Sequence, residues 1–223
     1  MKKFLVIGNP IEHTLSPKLH NYWFKNNNIE AIYGKLETHE SDLPELFKNL
    51  KEKKLDGINI TVPYKKAVIP YVDVLSGHAL RTQSVNTISC QNGNLIGHNT
   101  DIDGFEISIK KLNYDVKDKT VIILGAGGVV PSIVYALKKM NASKIILSNR
   151  TREKAEALKN VFKDLSVIDW GEIVDFDMII NATSLGLKEN DKFGTDFKSG
   201  GKNKLFYDVI YDPCETEFSD AAR

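Results

Sequence analysis

Gly125-Ala126-Gly127-Gly128 follows directly on the apolar run Val121-Ile122-Ile123-Leu124 and precedes a helical pattern. Glycines in that place let the chain turn tightly, bring bare backbone up to a pyrophosphate and offer it the amides and dipole of a helix N-terminus. Val130 stands where a third small residue is usual and Pro131 follows it, so the helix is expected to pack wider of the strand. The next strand ends Ser148-Asn149-Arg150-Thr151-Arg152, with two guanidinium groups and no carboxylate. An acid there would suit a ribose 2′-hydroxyl, whereas arginine can grip a 2′-phosphate. Two cations at a helix N-terminus also oppose its dipole unless an anion lies between them. The expected cofactor is therefore NADP.

A second set of residues has acid–base character. Gly57-Ile58-Asn59-Ile60-Thr61-Val62 alternates, with Asn59 and Thr61 on the face opposite Ile58, Ile60 and Val62. Polar groups near the carboxyl end of a strand in an α/β sheet belong where ligands bind; the alternative is a half-exposed edge strand. Pro63-Tyr64-Lys65-Lys66 is expected to open a helix. The helix dipole and Lys66 would then disfavour a charged Lys65, suiting it to proton transfer or substrate binding. Asp101, in Asn99-Thr100-Asp101, is either the cap of a following helix or an acid–base partner for that lysine. Thr14 and Ser16 precede another helix, where their hydroxyls and the helix amides could hold a carboxylate, or Ser16 could simply cap it.

These groups need a scaffold, and the pattern supplies one. Strands are expected at 4–8, 31–36, 57–62, 85–90 and 95–98, the last two flanking the hairpin signal Gln91-Asn92-Gly93-Asn94, with helices from Ser16, over 41–53 and in pieces up to Thr82. The pattern restarts with a helix over 102–112, strands at 120–124, 144–147, 177–181 and 205–209, and helices to Met140 and from Thr151. Residues 218–223 read as the opening of another helix. Alternation of this kind implies an α/β protein of two doubly wound domains: 1–100 for substrate binding and catalysis, and 101–223 as a Rossmann-type NADP-binding domain.

The 223 residues carry 30 Lys plus Arg against 29 Asp plus Glu, a net charge of +1, with 42% hydrophobic and 26% charged residues. Such balance argues against nucleic acid or an anionic membrane as partner, and for a small-molecule substrate. No apolar run approaches the roughly 18 residues of a membrane span, and Asn9-Pro10 cuts short the only run that resembles a secretory leader. Two cysteines, Cys90 and Cys214, far apart and outside any zinc spacing, suit a reducing, cytoplasmic setting. No metal is expected, and the chain is expected to be a monomer or homodimer.

Gly8-Asn9-Pro10-Ile11-Glu12-His13-Thr14-Leu15-Ser16-Pro17-Lys18-Leu19-His20-Asn21 resembles the N-terminal signature of shikimate dehydrogenases. Asn59 to Lys65, Val85-Asn86-Thr87, Asn99 to Gly104, Gly125 to Gly128, Asn149-Arg150-Thr151, Asn181 to Gly186 and Asp208 to Pro213 continue that resemblance in family order. It implies NADPH-dependent reversible reduction of 3-dehydroshikimate to shikimate, on the route to chorismate and the aromatic amino acids. It further implies that Thr14 and Ser16 hold the substrate carboxylate, and that Asn59, Thr61, Asn86 and Asp101 meet ring hydroxyls. Lys65, with Asp101, would handle the proton at the reacting oxygen, and Tyr211 would lie near the substrate. Gly125, Ala126, Gly127, Gly128 and Val129 would hold the pyrophosphate. Asn149, Arg150, Thr151 and Arg152 would surround the adenosine phosphate, and Thr183 and Val209 would also meet the cofactor. Thr14 replaces the family's usual serine, and Gln83-Ser84 its usual Gly-Ala. The family continues beyond the position of Arg223 with a segment that carries a substrate-reaching glutamine, so the chain as given is expected to bind NADP but turn over poorly. Competing readings are a quinate/shikimate relative using NAD and a non-catalytic NADP-binding module.

Overall fold

The computed structural model describes residues 1–188, 191–195, 197 and 203–220. It divides into two compact units, Met1–Ile102 and Asp103–Arg223, the division falling two residues beyond the 100/101 boundary expected from sequence. Asp101 therefore groups with Lys65 in the first unit.

In chain order the first unit contains β1 (Lys2–Gly8), α1 (Ser16–Asn26), β2 (Ala31–Glu37), α2 (Leu43–Lys51), β3 (Gly57–Ile60), β4 (Val74–Leu75), α3 (Gly77–Thr82), β5 (Thr87–Gln91) and β6 (Asn94–His98). Its six-stranded sheet runs β2-β1-β3-β5-β6-β4. The β1 pairings with β2 and β3 are parallel, whereas β5 lies antiparallel to both β3 and its hairpin partner β6. The sheet is thus mixed. Helices cover both faces: Ile7, Ile58 and Ile60 pack with Leu43, Phe47 and Leu50 of α2, while Phe4, Val6 and Tyr33 meet Phe24 of α1.

Local chemistry corrects several expected bounds. Pro44 lies in the first turn of α2, so the helix expected over 41–53 splits into a single 3₁₀ turn, Glu40–Asp42, and α2 proper. The third strand stops at Ile60 rather than Val62, and residues 62–68 form turns rather than the expected helix. No helix dipole acts on Lys65, and that part of the sequence argument is withdrawn.

The second unit takes up α4 (Asp101–Lys111) from its third residue and continues with β7 (Thr120–Leu124), α5 (Val130–Lys139), β8 (Lys144–Ser148), α6 (Arg152–Leu158), β9 (Ser166–Ile168), β10 (Met178–Asn181), β11 (Leu205–Asp208) and α7 (Glu217–Asp220). The expected terminal helix opening is met by α7, with residues 221–223 outside the described set. All five strands are parallel in the order β11-β10-β7-β8-β9. Continuous apolar runs such as Thr120 to Leu124 suit strands buried on both faces. Ile122, Leu124, Ile146 and Ile179 meet Phe193, Phe197 and Phe218 on one face. On another side of the unit Phe105 of α4 meets Tyr207 edge to face, ring centres 5.2 Å apart. Strand order reverses between β7 and β10, the switch point where open α/β sheets bind ligands.

Candidate active site and dinucleotide loop

Four polar residues of the first unit form one hydrogen-bonded group. Lys65 Nζ donates to Asp101 Oδ2 at 2.7 Å, and Asn86 Nδ2 donates to Asp101 Oδ1 at 2.8 Å and to Thr100 Oγ1 at 2.9 Å. The lysine and aspartate side chains are 11% and 22% exposed, so the pair is largely shielded yet reachable. Backbone pairing sets the geometry, because the Lys65 carbonyl accepts from Val85 N–H at 2.8 Å and brings the lysine beside the segment that carries Asn86. Asp101 is the first residue of α4, and its carboxylate faces Lys65 and Asn86 instead of capping the helix. The Asp101 N–H donates to the Asn99 side-chain oxygen at 3.0 Å.

Asn59 joins this group from β3. Its Nδ2 donates to Thr87 Oγ1 at 2.9 Å and to the Asn86 carbonyl at 3.2 Å, and its Oδ1 accepts from the Tyr33 hydroxyl at 2.6 Å. Thr87 Oγ1 donates in turn to Asn86 Oδ1 at 3.1 Å. Tyr33 has no place in the sequence reading, and Thr87 appears there only within the Val85-Asn86-Thr87 segment, without a role. Tyr33 lies on β2 and reaches across β1 to Asn59, a contact 26 residues long that no local spacing announces. Tyr33 is only 4% exposed, and burial pushes its hydroxyl well above the ordinary phenol range, so it remains protonated. The His20 ring stacks on it at 4.2 Å, and burial lowers the His20 pKa, which favours the neutral imidazole. Asn21 grips the backbone of the same residue, donating to the Tyr33 carbonyl at 2.8 Å and accepting from its N–H at 2.9 Å.

Thr61 stands just past β3, its N–H donating to the Ile7 carbonyl at 2.9 Å and its hydroxyl without a hydrogen-bond partner among the described residues. Gly8 is required beneath it, since a Cβ there would come within 2.5 Å of the Thr61 methyl and 2.9 Å of the Val62 carbonyl. Thr14 and Ser16 pair with each other: the Thr14 hydroxyl donates to Ser16 Oγ at 3.1 Å and accepts from Ser16 N–H at 3.3 Å. Leu15, not Ser16, holds the cap position of α1, so the capping alternative for Ser16 fails as well. The Ser16 hydroxyl hydrogen has no acceptor among the described residues.

In the second unit Gly125 ends β7 at φ +110°, where a Cβ would meet the Ala182 carbonyl at 2.7 Å. Ala182 immediately follows β10, so this glycine lets the backbones close up at the switch point. At Gly127 a Cβ would meet nothing within 4 Å. That position is bare for a different reason: open space stands over an exposed turn formed by Gly127, Gly128 and Val129 ahead of α5, where a bulky anion could lie against backbone. Beyond β8, Asn149 Nδ2 donates to the Thr151 carbonyl at 2.7 Å, shaping the turn into α6. Arg150 is exposed and has no ion-pair or hydrogen-bond partner among the described residues. Arg152 differs. It pairs with Asp169 and reaches Glu156 at 3.4 Å, and the Asp169 carboxylate raises its pKa. Carboxylates of the chain itself therefore supply the anion that the dipole argument had left entirely to a ligand.

Thr183 follows Asn181, whose Oδ1 accepts from the Thr183 N–H at 3.1 Å and hydroxyl at 2.7 Å. Asn181 also donates to Asp208 Oδ1 at 3.0 Å, and its carbonyl accepts from Val209 N–H at 3.0 Å. Asp208 further receives the Ile210 N–H and the Thr216 hydroxyl, tying the ends of β10 and β11 together. Tyr211 is 62% exposed, its hydroxyl without a partner among the described residues.

A dinucleotide loop at a parallel-sheet switch point, in a chain that also carries a shielded lysine–carboxylate pair, defines a pyridine-nucleotide oxidoreductase. Residues 6–88 match the shikimate dehydrogenase substrate binding domain, and residues 106–188 match the shikimate / quinate 5-dehydrogenase family. The NADP(+) shikimate dehydrogenase of Pelagibacter ubique is 54% identical over 222 residues, covering 100% of this chain and 84% of the relative. The crystal structure of the Aquifex aeolicus shikimate dehydrogenase superposes with a TM-score of 0.92 at 37% identity, over 100% of this chain and 83% of that one. That of the Thermus thermophilus enzyme with NADP(H) and shikimate gives 0.89 at 29% identity, over 100% and 84%. The chain belongs to the shikimate dehydrogenase family.

Proposed function

We propose that this chain catalyses the NADP-dependent, reversible interconversion of 3-dehydroshikimate and shikimate, with Lys65 moving the proton. The observation that carries this reading is the Lys65–Asp101 pair, held by Asn86 and shielded from water. Reduction of a ketone needs a hydride at carbon and a proton at oxygen; the bound NADPH supplies the hydride. Lys65 Nζ has two N–H bonds beyond the one given to Asp101, so it can donate to the carbonyl oxygen while Asp101 holds its position. In the reverse direction the neutral amine accepts the hydroxyl proton, and Asp101 stabilises the ammonium that forms.

The first unit would bind the substrate. The free Ser16 hydroxyl hydrogen, with Thr14, suits the carboxylate, and the unpartnered Thr61 hydroxyl suits a ring hydroxyl. Asn59, Asn86 and Tyr211 are assigned the remaining substrate contacts. Gly125 to Val129 would carry the pyrophosphate, and Asn149, Arg150, Thr151 and Arg152 the adenosine phosphate. Arg150 is the stronger candidate for the 2′-phosphate because its guanidinium is uncommitted, and Thr183 and Val209 would border the nicotinamide end. Balanced charge and two free cysteines support a small-molecule partner and a cytoplasmic setting, as monomer or homodimer.

The test is spectrophotometric: the purified chain should reduce NADP with shikimate and use quinate far less well. Lys65→Ala should lower turnover about 10²- to 10⁴-fold while leaving NADP affinity unchanged. Absence of shikimate oxidation by the unaltered chain, or near-normal turnover by the variant, overturns the assignment.

A further inference from the structure

We infer that Tyr33 and Thr87 are positioning residues of this site: they fix which way the Asn59 and Asn86 side chains face, so that Asn59 offers a ligand only its oxygen. The inference rests on the proposed reaction for its kinetic readout. Its basis is donor accounting. A side-chain amide has two N–H bonds and one oxygen with two lone pairs. Both Asn59 N–H bonds are spent, on Thr87 Oγ1 and on the Asn86 carbonyl, and one oxygen lone pair takes the Tyr33 hydroxyl. Turned over, the amide would set its oxygen against the Asn86 carbonyl with no proton between them, and the Tyr33 hydroxyl would lose its acceptor.

The consequence propagates in one direction. Thr87 accepts from Asn59, so its own hydrogen is free for Asn86 Oδ1. Together with the Thr100 N–H, which donates to the same oxygen, that sets the Asn86 nitrogen toward Thr100 Oγ1 and toward Asp101, the carboxylate that holds Lys65. A phenol, two amides and a hydroxyl thus form a directed series from β2 to the proton-transfer pair, and in a shielded setting such series stiffen and strengthen their members. Its far end is anchored by groups that the N-terminal signature supplies without an evident role of their own. His20 stacks on the Tyr33 ring, and Asn21 holds the Tyr33 backbone at both its N–H and its carbonyl.

What remains to a ligand at Asn59 is one lone pair. The group it recognises there must donate a hydrogen, so a hydroxyl is accepted and a ketone, ether or fluorine is not. Tyr33 and Thr87 would in this way contribute to the distinction between a polyhydroxylated ring and its deoxygenated or more oxidised analogues, without touching the ligand.

The experiment compares Tyr33→Phe, Thr87→Val and Thr87→Ser in the full chain. The measurements are KM and kcat for shikimate, NADP affinity, melting temperature, and KM for a shikimate analogue with one non-reacting hydroxyl replaced by fluorine. Tyr33→Phe and Thr87→Val should raise KM for shikimate roughly three- to tenfold, as loss of one orienting hydrogen bond does, with NADP affinity unaltered. Both should reduce the penalty for fluorine, and Thr87→Ser should return KM to within about twofold of the unaltered value. Nuclear magnetic resonance of the asparagine side-chain amides, without substrate, supplies a second readout: the Asn59 and Asn86 signals should both move in Thr87→Val and recover in Thr87→Ser. Unchanged KM and fluorine penalty in an active protein, or a KM rise that only follows lost melting temperature and that serine does not correct, overturns the inference. Failure of the unaltered chain to oxidise shikimate would instead defeat the proposed reaction, and the amide signals would still decide whether the series orients Asn59 and Asn86.

Discussion

In the first unit Asn59, Asn86, Asp101 and Lys65 are tied to one another and to Tyr33, Thr87 and Thr100 by hydrogen bonds that run mostly between side chains. The second unit does the opposite. After β7 it places glycines, with open space at Gly127, and after β8 an arginine, Arg150, without a partner among the described residues. The difference matches two recognition tasks. A small ring bearing several hydroxyls is told from its analogues only by donors and acceptors fixed in direction, so the scaffold must use up the wrong ones beforehand. A pyrophosphate is the same in every dinucleotide, and backbone amides with a helix end suffice for it. Discrimination in the second unit falls to the side chains after β8, where charge matters more than orientation.

The sharpest way to break this comparison is at the two glycines. Gly125→Ala puts a Cβ 2.7 Å from a backbone oxygen at a φ of +110°, and should destabilise the second unit by at least about 1–3 kcal/mol. Gly127→Ala adds a Cβ to open space. It should leave the melting temperature unchanged and still weaken NADP binding, by about tenfold, if that space belongs to the pyrophosphate. Calorimetric melting beside cofactor titration separates the two; equal melting temperatures would mean that Gly125 is not a packing requirement.

Arg150→Ala should weaken NADP about ten- to a hundredfold more than NAD, because only NADP carries the phosphate a guanidinium can pair. The preference should shrink as salt rises, an exposed pair being screened. Arg152→Ala should discriminate less between the cofactors and lower stability more, since Arg152 already ties α6 to Asp169. Affinities for both cofactors at two salt concentrations decide the point.

The smallest effect concerns acid. In each unit an aspartate paired with a lysine also clips a strand by its backbone N–H. Asp73 accepts from Leu95 N–H and Lys51, and Asp177 from Thr120 N–H and Lys119. The backbone bond, then the lysine, holds each carboxyl below its ordinary range. A depressed folded-state pKa stabilises wherever the group is ionised in both states, and that contribution is lost as pH falls through the folded value. The share of the melting temperature that these two carboxylates supply should therefore be constant near neutrality and be lost below about pH 4, and Asp73→Asn and Asp177→Asn should each make that acid decline shallower.

The second unit was the more legible in sequence because its evidence is local. A continuous apolar strand, glycines and a helix lie within twenty residues, and the alternation of strands with helices announces a parallel sheet. Only the three-residue β9 escaped, being too short to show a period. The first unit misled at residues 62–68, where Pro63 and the lysines suggest a helix and the chain instead makes turns that deliver Lys65 to Val85. Lys65 and Asp101 were nameable from residue type, but the identity of Asp101 as partner rather than cap needed the fold. Thr87 was visible only as part of the Val85-Asn86-Thr87 segment, with no role attached, and Tyr33 was not nameable at all. A buried tyrosine in an apolar strand reads as core, and only the strand order, which brings β2 within reach of β3 across β1, turns its hydroxyl into a polar contact.

The grip of Asn21 on Tyr33 bears on more than the position of a ring. β2 is the outermost strand of its sheet, with Ile32 and Leu36 exposed along it. An open edge of that kind is a template on which another chain can add strands, and apolar side chains beside it increase the hazard. At Tyr33, the third residue of β2, however, the N–H and carbonyl on the open side are already occupied by the Asn21 amide, which imitates the neighbour the strand lacks. An incoming strand would find neither donor nor acceptor there, so the side chain that steadies Tyr33 from behind also interrupts the open edge at that residue.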